Sequence, residues 1–570
     1  MAYFIRLLIF CALASASSIS HATGETVRVS DFGAIPNDGK CDMEAVAKAV
    51  KYAKKISAKK IVFDAGVYEF DVGDPEKKTA IVLDGMENLE VCGATDRDGN
   101  PGTVLMRKYK FRNAIRGMPI LYAANCPELI VRNLVFDNNP RYMTCGEIVA
   151  NDGKSVTVKI LEGNPCPDGT LLYCANLWDA KTHNLKKKPS LTFGGANVEK
   201  RAAELTATRT GAPQDRLLRI PSPDIAANSE VGDILSWNFG WEGLQVHFLK
   251  CRNLRVENIT THSAIGFCMQ SSFCRNVRGT RVRFKRDGNQ MHVGSRDAWK
   301  LYCCSGTAII RECYFEGVRW DGQNVHGRFA IPFEKIDERS AVFSSHFLGC
   351  EAKIFIPGTK VGFWKDRDTE VRLTIKSAED LPPRESGKKR SKVEFVEEIP
   401  SFADKKTVCN LYGINIDSYI LLDSEFRNIA GTASLIRNDN ATISGCKFDH
   451  IMYPAICVGG ALFEDEGVSC ANTHIADNSF DTCGWSPRHD GRGAIALRLQ
   501  HNNRIPQART PYIMGAHISG NTIANCDIGI DAADVRNLHI SGNKFINTPV
   551  PILHKNNPDA QISPLDCNNP

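Results

Sequence analysis

Hydrophobic and polar residues along this chain recur with two periods, and the shorter one dominates. Between Met43 and Lys55, Ala45, Val46, Ala49, Val50 and Ala53 fall on one face at helical spacing, which predicts an amphipathic helix. Elsewhere apolar residues alternate in short runs closed by Asn or Gly, beginning with Lys60-Ile61-Val62-Phe63. Asn253-Leu254-Arg255-Val256-Glu257-Asn258-Ile259 is one such unit, Thr442 to Phe448 another and His474 to Phe480 a third. The clearest pair is His517-Ile518-Ser519-Gly520-Asn521 and His539-Ile540-Ser541-Gly542-Asn543, which start 22 residues apart (517 to 539). Short alternating strands at such a period predict a solenoid. Leucine-rich repeats share the period, but their Leu spacing is absent. A repeated Asn in such a coil is expected to stack in a ladder that satisfies its amide along the axis.

The opening residues refine this picture. Asp31-Phe32-Gly33-Ala34, the helix, and the strands Ile61-Val62-Phe63 and Gly66-Val67-Tyr68 resemble the N-terminal cap of pectin-lyase-type proteins. The resemblance implies an all-β, right-handed parallel β-helix whose helix plugs the open end, where an unpaired strand edge would otherwise be exposed. Two stretches break the coil pattern with irregularly spaced strands. Residues 140–236 contain Ser155–Ile160, Ser190–Phe193 and Asp215–Ile220; residues 329–412 contain Lys353–Ile356, Val371–Ile375 and Val393–Val396. Both are expected to be antiparallel β insertions, small barrels or sandwiches. The expected organisation is a signal peptide (1–22), cap and first coils (23–139), an insertion (140–236), coils with the chemistry (237–328), a second insertion (329–412) and C-terminal coils (413–570).

Composition changes this little. The chain has 570 residues, 43% hydrophobic and 24% charged, with a formal charge of +5. That balance points to neither a nucleic-acid partner nor a strongly acidic substrate. Arg6, the apolar run Leu7–Ala14 and Ser20-His21-Ala22 form a secretory signal pattern, with cleavage expected near Ala22 and export to the periplasm or medium. No later apolar stretch is long enough to span a membrane. Twenty of the 21 cysteines would remain after cleavage, and an exported chain with that count is expected to carry some disulfides. Others, such as Cys313, Cys446 and Cys470, stand where a buried strand wants a small apolar residue. No Cys/His cluster has zinc-ligand spacing.

The stretch Thr307–Gly327 carries the candidate chemistry. It alternates from Ile309 to Phe315 and then breaks into Trp320-Asp321-Gly322-Gln323-Asn324, read as a strand ending in a polar Asp-Gly turn. Asp297 precedes Asp321 by 24 residues (297 to 321), close to one coil, so the two carboxylates are predicted to meet on one face. Two such groups cannot both ionise freely, which sets an acid beside a base, the equipment of glycoside hydrolysis.

At these residues the chain resembles glycoside hydrolase family 110. The segment Asp297–Gly306 is similar to the family's D-a-x-h-f-x-x-C-x-G. Trp320-Asp321-Gly322-Gln323-Asn324-Val325-His326-Gly327 is similar to its D-D-a-x-N-v-H-G, and Leu462–Gly467 loosely to a W-f-E-x-G segment. The resemblance implies a secreted enzyme that hydrolyses terminal α-1,3-galactose with inversion, on a carbohydrate substrate, without a metal or organic cofactor, with its acids in the first two segments. Trp320 stands where the family has the first Asp of its pair, and Lys300-Leu301 near its His-Phe. The expected catalytic residues are Asp297, as acid, and Asp321, as base. Trp320, Asn324, His326, Glu464, Glu466 and Trp299 are the expected substrate contacts, with Asp287 a weaker candidate carboxylate. A lyase of the same fold and a non-catalytic carbohydrate-binding β-helix are the alternatives. The lyase would need a calcium cluster, for which two aspartates are too few.

Overall fold

The computed structural model describes residues 25–568, apart from 114, 346–347, 384–386, 468–469, 489–490, 501–504 and 564–565. The expected signal segment and its Ala22 site lie outside the described residues. Eleven short strands, one per coil, stack in parallel from Ile81–Asp84 to Val550–Lys555, and the remaining faces of the coil are likewise parallel. The protein is a right-handed parallel β-helix. The helix α1 (Met43–Lys55) buries Val46, Ala49, Val50 and Ala53 into the same core as Val27, Ile61 and Leu83. Among the described residues no helix is long and apolar enough to cross a membrane.

Repeated side chains stack from coil to coil. Phe315 and Phe426 lie with centroids 4.4 Å apart and planes 1° from parallel, and Phe448 and Phe480 follow at 4.8 Å. His517 and His539 stack at 4.6 Å. The repeated asparagines form the ladder that their spacing predicts: Asn478 Nδ2 donates to Asn521 Oδ1 (3.0 Å), and Asn521 Nδ2 to Asn543 Oδ1 (2.8 Å). Each buried amide thus finds its partner one coil away.

The cysteines correct the expectation of disulfides where they line the coils. Cys251, Cys274 and Cys304 stack as buried thiols, and each Sγ points to the carbonyl of a preceding coil: Ala123 (3.5 Å), Phe248 (3.5 Å) and Ser271 (3.3 Å). Burial pushes the Cys313 thiol up to about 12. These are small core residues with weak donors.

Three strands of the eleven-stranded sheet carry the candidate site: β1 (Trp299–Tyr302), β2 (Gln323–His326) and β3 (Ser434–Arg437). Trp299 pairs with Gln323 and Tyr302 with His326; Gln323 then pairs with Ser434 and His326 with Arg437. The stretch read as one strand and a turn is three strands: Ser305–Arg311, Tyr314–Glu316 and β2. The chain turns a corner at Glu312, whose φ is 55°. Asp321-Gly322 therefore leads into a strand instead of closing one. Gly322 is required by close approach, since a Cβ there would meet the Ala433 carbonyl at 2.6 Å.

The first interruption is an antiparallel sheet of seven strands between Met143 and Asn238; the second is a closed six-stranded barrel between Phe329 and Leu411. Two expected strands are absent. Ser190–Phe193 is a loop, held by Thr192 Oγ1, which accepts from Ala175 N (2.8 Å) and donates to the Leu172 carbonyl (2.8 Å). At Lys353–Ile356 the chain makes a 3₁₀ turn over Ala352–Ile354. Consecutive Ile354 and Phe355 both enter the barrel core, which successive strand residues cannot do. Both interruptions reach the face around β2. Leu185 N donates to Asn428 Oδ1 (2.9 Å) and Trp485 Nε1 to the Lys188 carbonyl (3.1 Å). From the other side, Leu348 N donates to Asp465 Oδ2 (2.6 Å).

Candidate active site

Asp297 and Asp321 each stand two residues before their strands, β1 and β2, so the pairing of Trp299 with Gln323 stacks them on successive coils. Thr432 holds the same position before β3. Both aspartates are buried, at 1% and 0% exposure. Asn324, on β2, joins them: its Nδ2 donates to Asp297 Oδ2 at 3.0 Å and faces Asp321 Oδ2 at 3.4 Å. Those two oxygens are therefore no further apart than 3.0 and 3.4 Å laid end to end.

The environments of the two carboxylates differ. Asp321 Oδ1 accepts from Thr432 N (3.2 Å) and from Arg488 Nη1, with which it forms a buried ion pair. Burial pushes the Asp321 pKa up to about 6; Arg488 pulls against the rise and the neighbouring Asp297 adds to it. Asp297 has no cationic partner among the described residues, and its buried Oδ1 has no hydrogen-bond partner there. The pair thus combines one carboxylate held by an arginine with one that keeps an oxygen for another group.

A second cluster borders the first. Arg437, fully buried on β3, donates from Nη1 to Glu464 Oε2 (3.0 Å) and to Glu466 Oε2. Burial acts to raise the Glu466 carboxyl, but Arg437 and Lys300, whose Nζ lies 3.7 Å away, overrule it and hold it well below the usual carboxylate range. Burial pushes the His326 ring down to about 3, so it is neutral. Its Nδ1–H then donates to the Gly327 carbonyl (2.9 Å), and Nε2 is left as an acceptor 3.3 Å from Glu466 Oε1. Ionised Glu466 and neutral His326 are a pair of acceptors suited to sugar hydroxyls.

Trp320 closes another side. Its half-buried indole meets Phe193 and Trp241 with centroids at 6.0 Å and Tyr453 at 6.2 Å. The guanidinium groups of Arg488 and Arg319 lie over it at 5.2 and 5.3 Å, and Arg296 lies 4.4 Å over Trp241. Phe193 is 40% exposed and belongs to the first insertion, so the aromatic side of this wall reaches the surface, while Arg319 and Arg488 are buried behind it.

Of the residues expected from sequence, the structure brings together Asp297, Asp321, Trp320, Asn324, His326, Glu464 and Glu466. Trp299 is a correction: it is wholly buried inside the coil, Nε1 donating to Ser271 Oγ (3.2 Å), and it offers no face to a sugar. On a two-residue alternation, Trp299 points inward while its neighbour Lys300 points out. Asp287 is not in the site; it pairs with Arg141. Arg488, Thr432, Arg437, Trp241 and Phe193 were missed, since they come from distant parts of the chain and carry no local motif.

The chain aligns with α-1,3-galactosidase A of Shewanella woodyi at 22% identity over 534 residues, covering 88% of this chain and 83% of the relative. With α-1,3-galactosidase A of Bacteroides fragilis it is 21% identical over 566 residues, covering 92% and 88%. The α-1,3-galactosidase B of Phocaeicola vulgatus is 22% identical over 525 residues, covering 84% and 82%. No family model matches the chain. Among solved structures, the A-module of the Azotobacter vinelandii mannuronan C-5 epimerase AlgE4 covers 95% of this chain and 100% of its own at 10% identity, with a TM-score of 0.45.

Proposed function

We propose that this chain, a divergent relative of the family 110 α-1,3-galactosidases, is a glycoside hydrolase that releases terminal α-1,3-linked galactose by acid/base catalysis with inversion. The observation that carries the proposal is the buried pair Asp297 and Asp321, one coil apart and bridged by Asn324. Asp297 is the general acid: its buried Oδ1, without a hydrogen-bond partner among the described residues, is the oxygen assigned to protonate the glycosidic oxygen. Asp321 is the base, its ionised form stabilised by Arg488 and Thr432 N, and it takes a proton from the attacking water. His326 and Glu466 hold hydroxyls of the terminal sugar. The neighbouring acidic residues are engaged with arginines, which argues against the lyase alternative and its calcium cluster. Incubation with terminal α-1,3-, α-1,4- and α-1,6-galactosides, with and without a chelator, tests the activity; no galactose from any of them refutes it.

Inverting enzymes hold their carboxyls about 6.5–9.5 Å apart and retaining ones about 5–5.5 Å. The Asn324 bridge keeps the near oxygens no more than about 6.4 Å apart, just under the first range, so inversion requires the two carboxyls to splay as substrate and water enter. NMR of a fresh digest is expected to detect β-galactose first. Initial release of the α-anomer refutes inversion.

A base with a pKa near 6 must be ionised to work. Activity is therefore expected to be lost as pH falls through about 6. Arg488→Met removes the cation that favours the ionised form and moves this limb upward by about 1–3 pH units. The pH profile of kcat/KM for the two proteins measures it, and an unmoved limb assigns the titration to another group.

A further inference from the structure

Arg107 is the inward-pointing residue near the end of the strand Thr103–Tyr109 and is completely buried. Burial lowers its pKa only to about 10, so it is charged at neutral pH. A buried charge is costly unless paired. Among the described residues, none offers Arg107 a carboxylate. Among the described residues its one hydrogen bond runs from Nη2 to Gln245 Oε1 (3.3 Å), and Nε and Nη1 have no partner there. Asp137, in the same polar network, is committed elsewhere: it accepts from Asn138 N (2.8 Å), Ser263 Oγ (2.5 Å) and Arg141 Nη2 (2.9 Å).

The groups around Arg107 have the same imbalance. Gln245 turns its Oε1 to Arg107 and to Asn138 Nδ2 (3.3 Å), which leaves its Nε2 donor buried and unmatched. The Tyr109 hydroxyl, two residues along the same inward face, is likewise buried without a partner among the described residues. Burial raises Tyr109 far above its ordinary range, so it keeps its proton and remains a donor. Against these donors stands one unmatched acceptor in the network, Asn138 Oδ1. Water is a poor match for such a set, because each water must donate two protons of its own. A small anion accepts from every side and neutralises the guanidinium.

We infer that this buried cluster of donors binds a small monovalent anion of the chloride class, held by Arg107 Nε and Nη1, the Gln245 amide and the Tyr109 hydroxyl. The site lies where the coil gives way to the first insertion: Asn138 ends the strand Ile130–Asn139, and the ring of Tyr142 lies 6.2 Å from that of Tyr109. The anion would fasten the base of the insertion, one loop of which brings Phe193 to Trp320.

The test is thermal unfolding of the full chain at constant ionic strength, with sodium chloride progressively replacing sodium gluconate. Tm is expected to rise by about 1–2 °C for each tenfold increase in chloride beyond its dissociation constant. Arg107→Met is expected to abolish this dependence, and Gln245→Leu to weaken it. In wild-type crystals soaked in sodium bromide, an anomalous peak is expected within hydrogen-bonding distance of Arg107 Nε, a readout that stands even if Arg107→Met does not fold. Identical Tm values in the two salts, or water alone beside Arg107 in the bromide-soaked crystal, would overturn the inference.

Discussion

Asp297→Asn and Asp321→Asn are each expected to reduce kcat/KM on an unactivated α-1,3-galactoside by about 10²–10⁴-fold, the usual share of a positioned acid or base. The two variants then diverge. With Asp297→Asn the lost function is protonation of the departing oxygen, so an aryl galactoside with an acidic phenol regains most of its rate. With Asp321→Asn the lost function is activation of water, so the aryl substrate gives no such relief. Sodium azide, which needs no deprotonation, restores turnover and yields β-galactosyl azide. The variants also differ in stability. Asp321 is ion-paired with buried Arg488, so its removal strands a charge and costs about 3–5 kcal/mol. Asp297 accepts one bond, from Asn324, and its replacement costs about 1–3 kcal/mol. Tm measurements on both proteins separate this loss from the catalytic one. If a folded variant retains near wild-type rates, its aspartate has no catalytic part. If azide rescues Asp297→Asn instead, the two roles are exchanged.

The second large effect is on substrate choice and comes from Trp320. The resemblance places a carboxylate at this position in the relatives, and the indole removes both its charge and its acceptor. A sugar hydroxyl left without that acceptor loses about 1–3 kcal/mol, or roughly 10–100-fold. The indole also occupies space, packed among Phe193, Trp241 and Tyr453. The positive charge near it comes from Arg319 and Arg296, because Lys300 is turned to Glu466. Arg319 is wholly buried and donates to the Ala430 carbonyl, so the half-buried Arg296 is the cation within reach of a substrate group. Such a wall favours a flat sugar face bearing a sulfate over a neutral, branched chain. A terminal α-galactoside from a sulfated galactan is therefore expected to exceed the neutral branched α-1,3-galactoside in kcat/KM by about 10–100-fold. Trp320→Asp is expected to reverse the order. Trp320→Ala, which makes room without supplying an acceptor, is expected to lower the sulfated rate while leaving the neutral one poor. A wild-type preference for the neutral sugar, or one that Trp320→Asp leaves unchanged, removes Trp320 as the determinant.

Local pattern was enough for a good deal of this protein. The face of α1 was legible because a helix presents its apolar residues at fixed spacing, and the coil because each turn of a solenoid repeats the same contacts with the next. The same regularity placed Asp297 over Asp321: a 24-residue spacing becomes a lateral contact when one coil takes about that many residues. Asn324 and His326 came with the motif match, and alternation along β2 puts both on the face that Lys300 shares. Tertiary structure decided what local pattern could not encode. Arg488 reaches Asp321 from 167 residues away, and Thr432 from 111 residues away across the barrel insertion, so neither belongs to a motif that a window of sequence contains. Phe193 and Trp241 meet Trp320 only because the first insertion folds back over the coil. The side that Trp299 faces, the strand that follows Asp321-Gly322, and the thiol state of Cys251, Cys274 and Cys304 were also settled by packing. In each case the residue type allowed two environments, and the neighbouring coil determined which of them was buried.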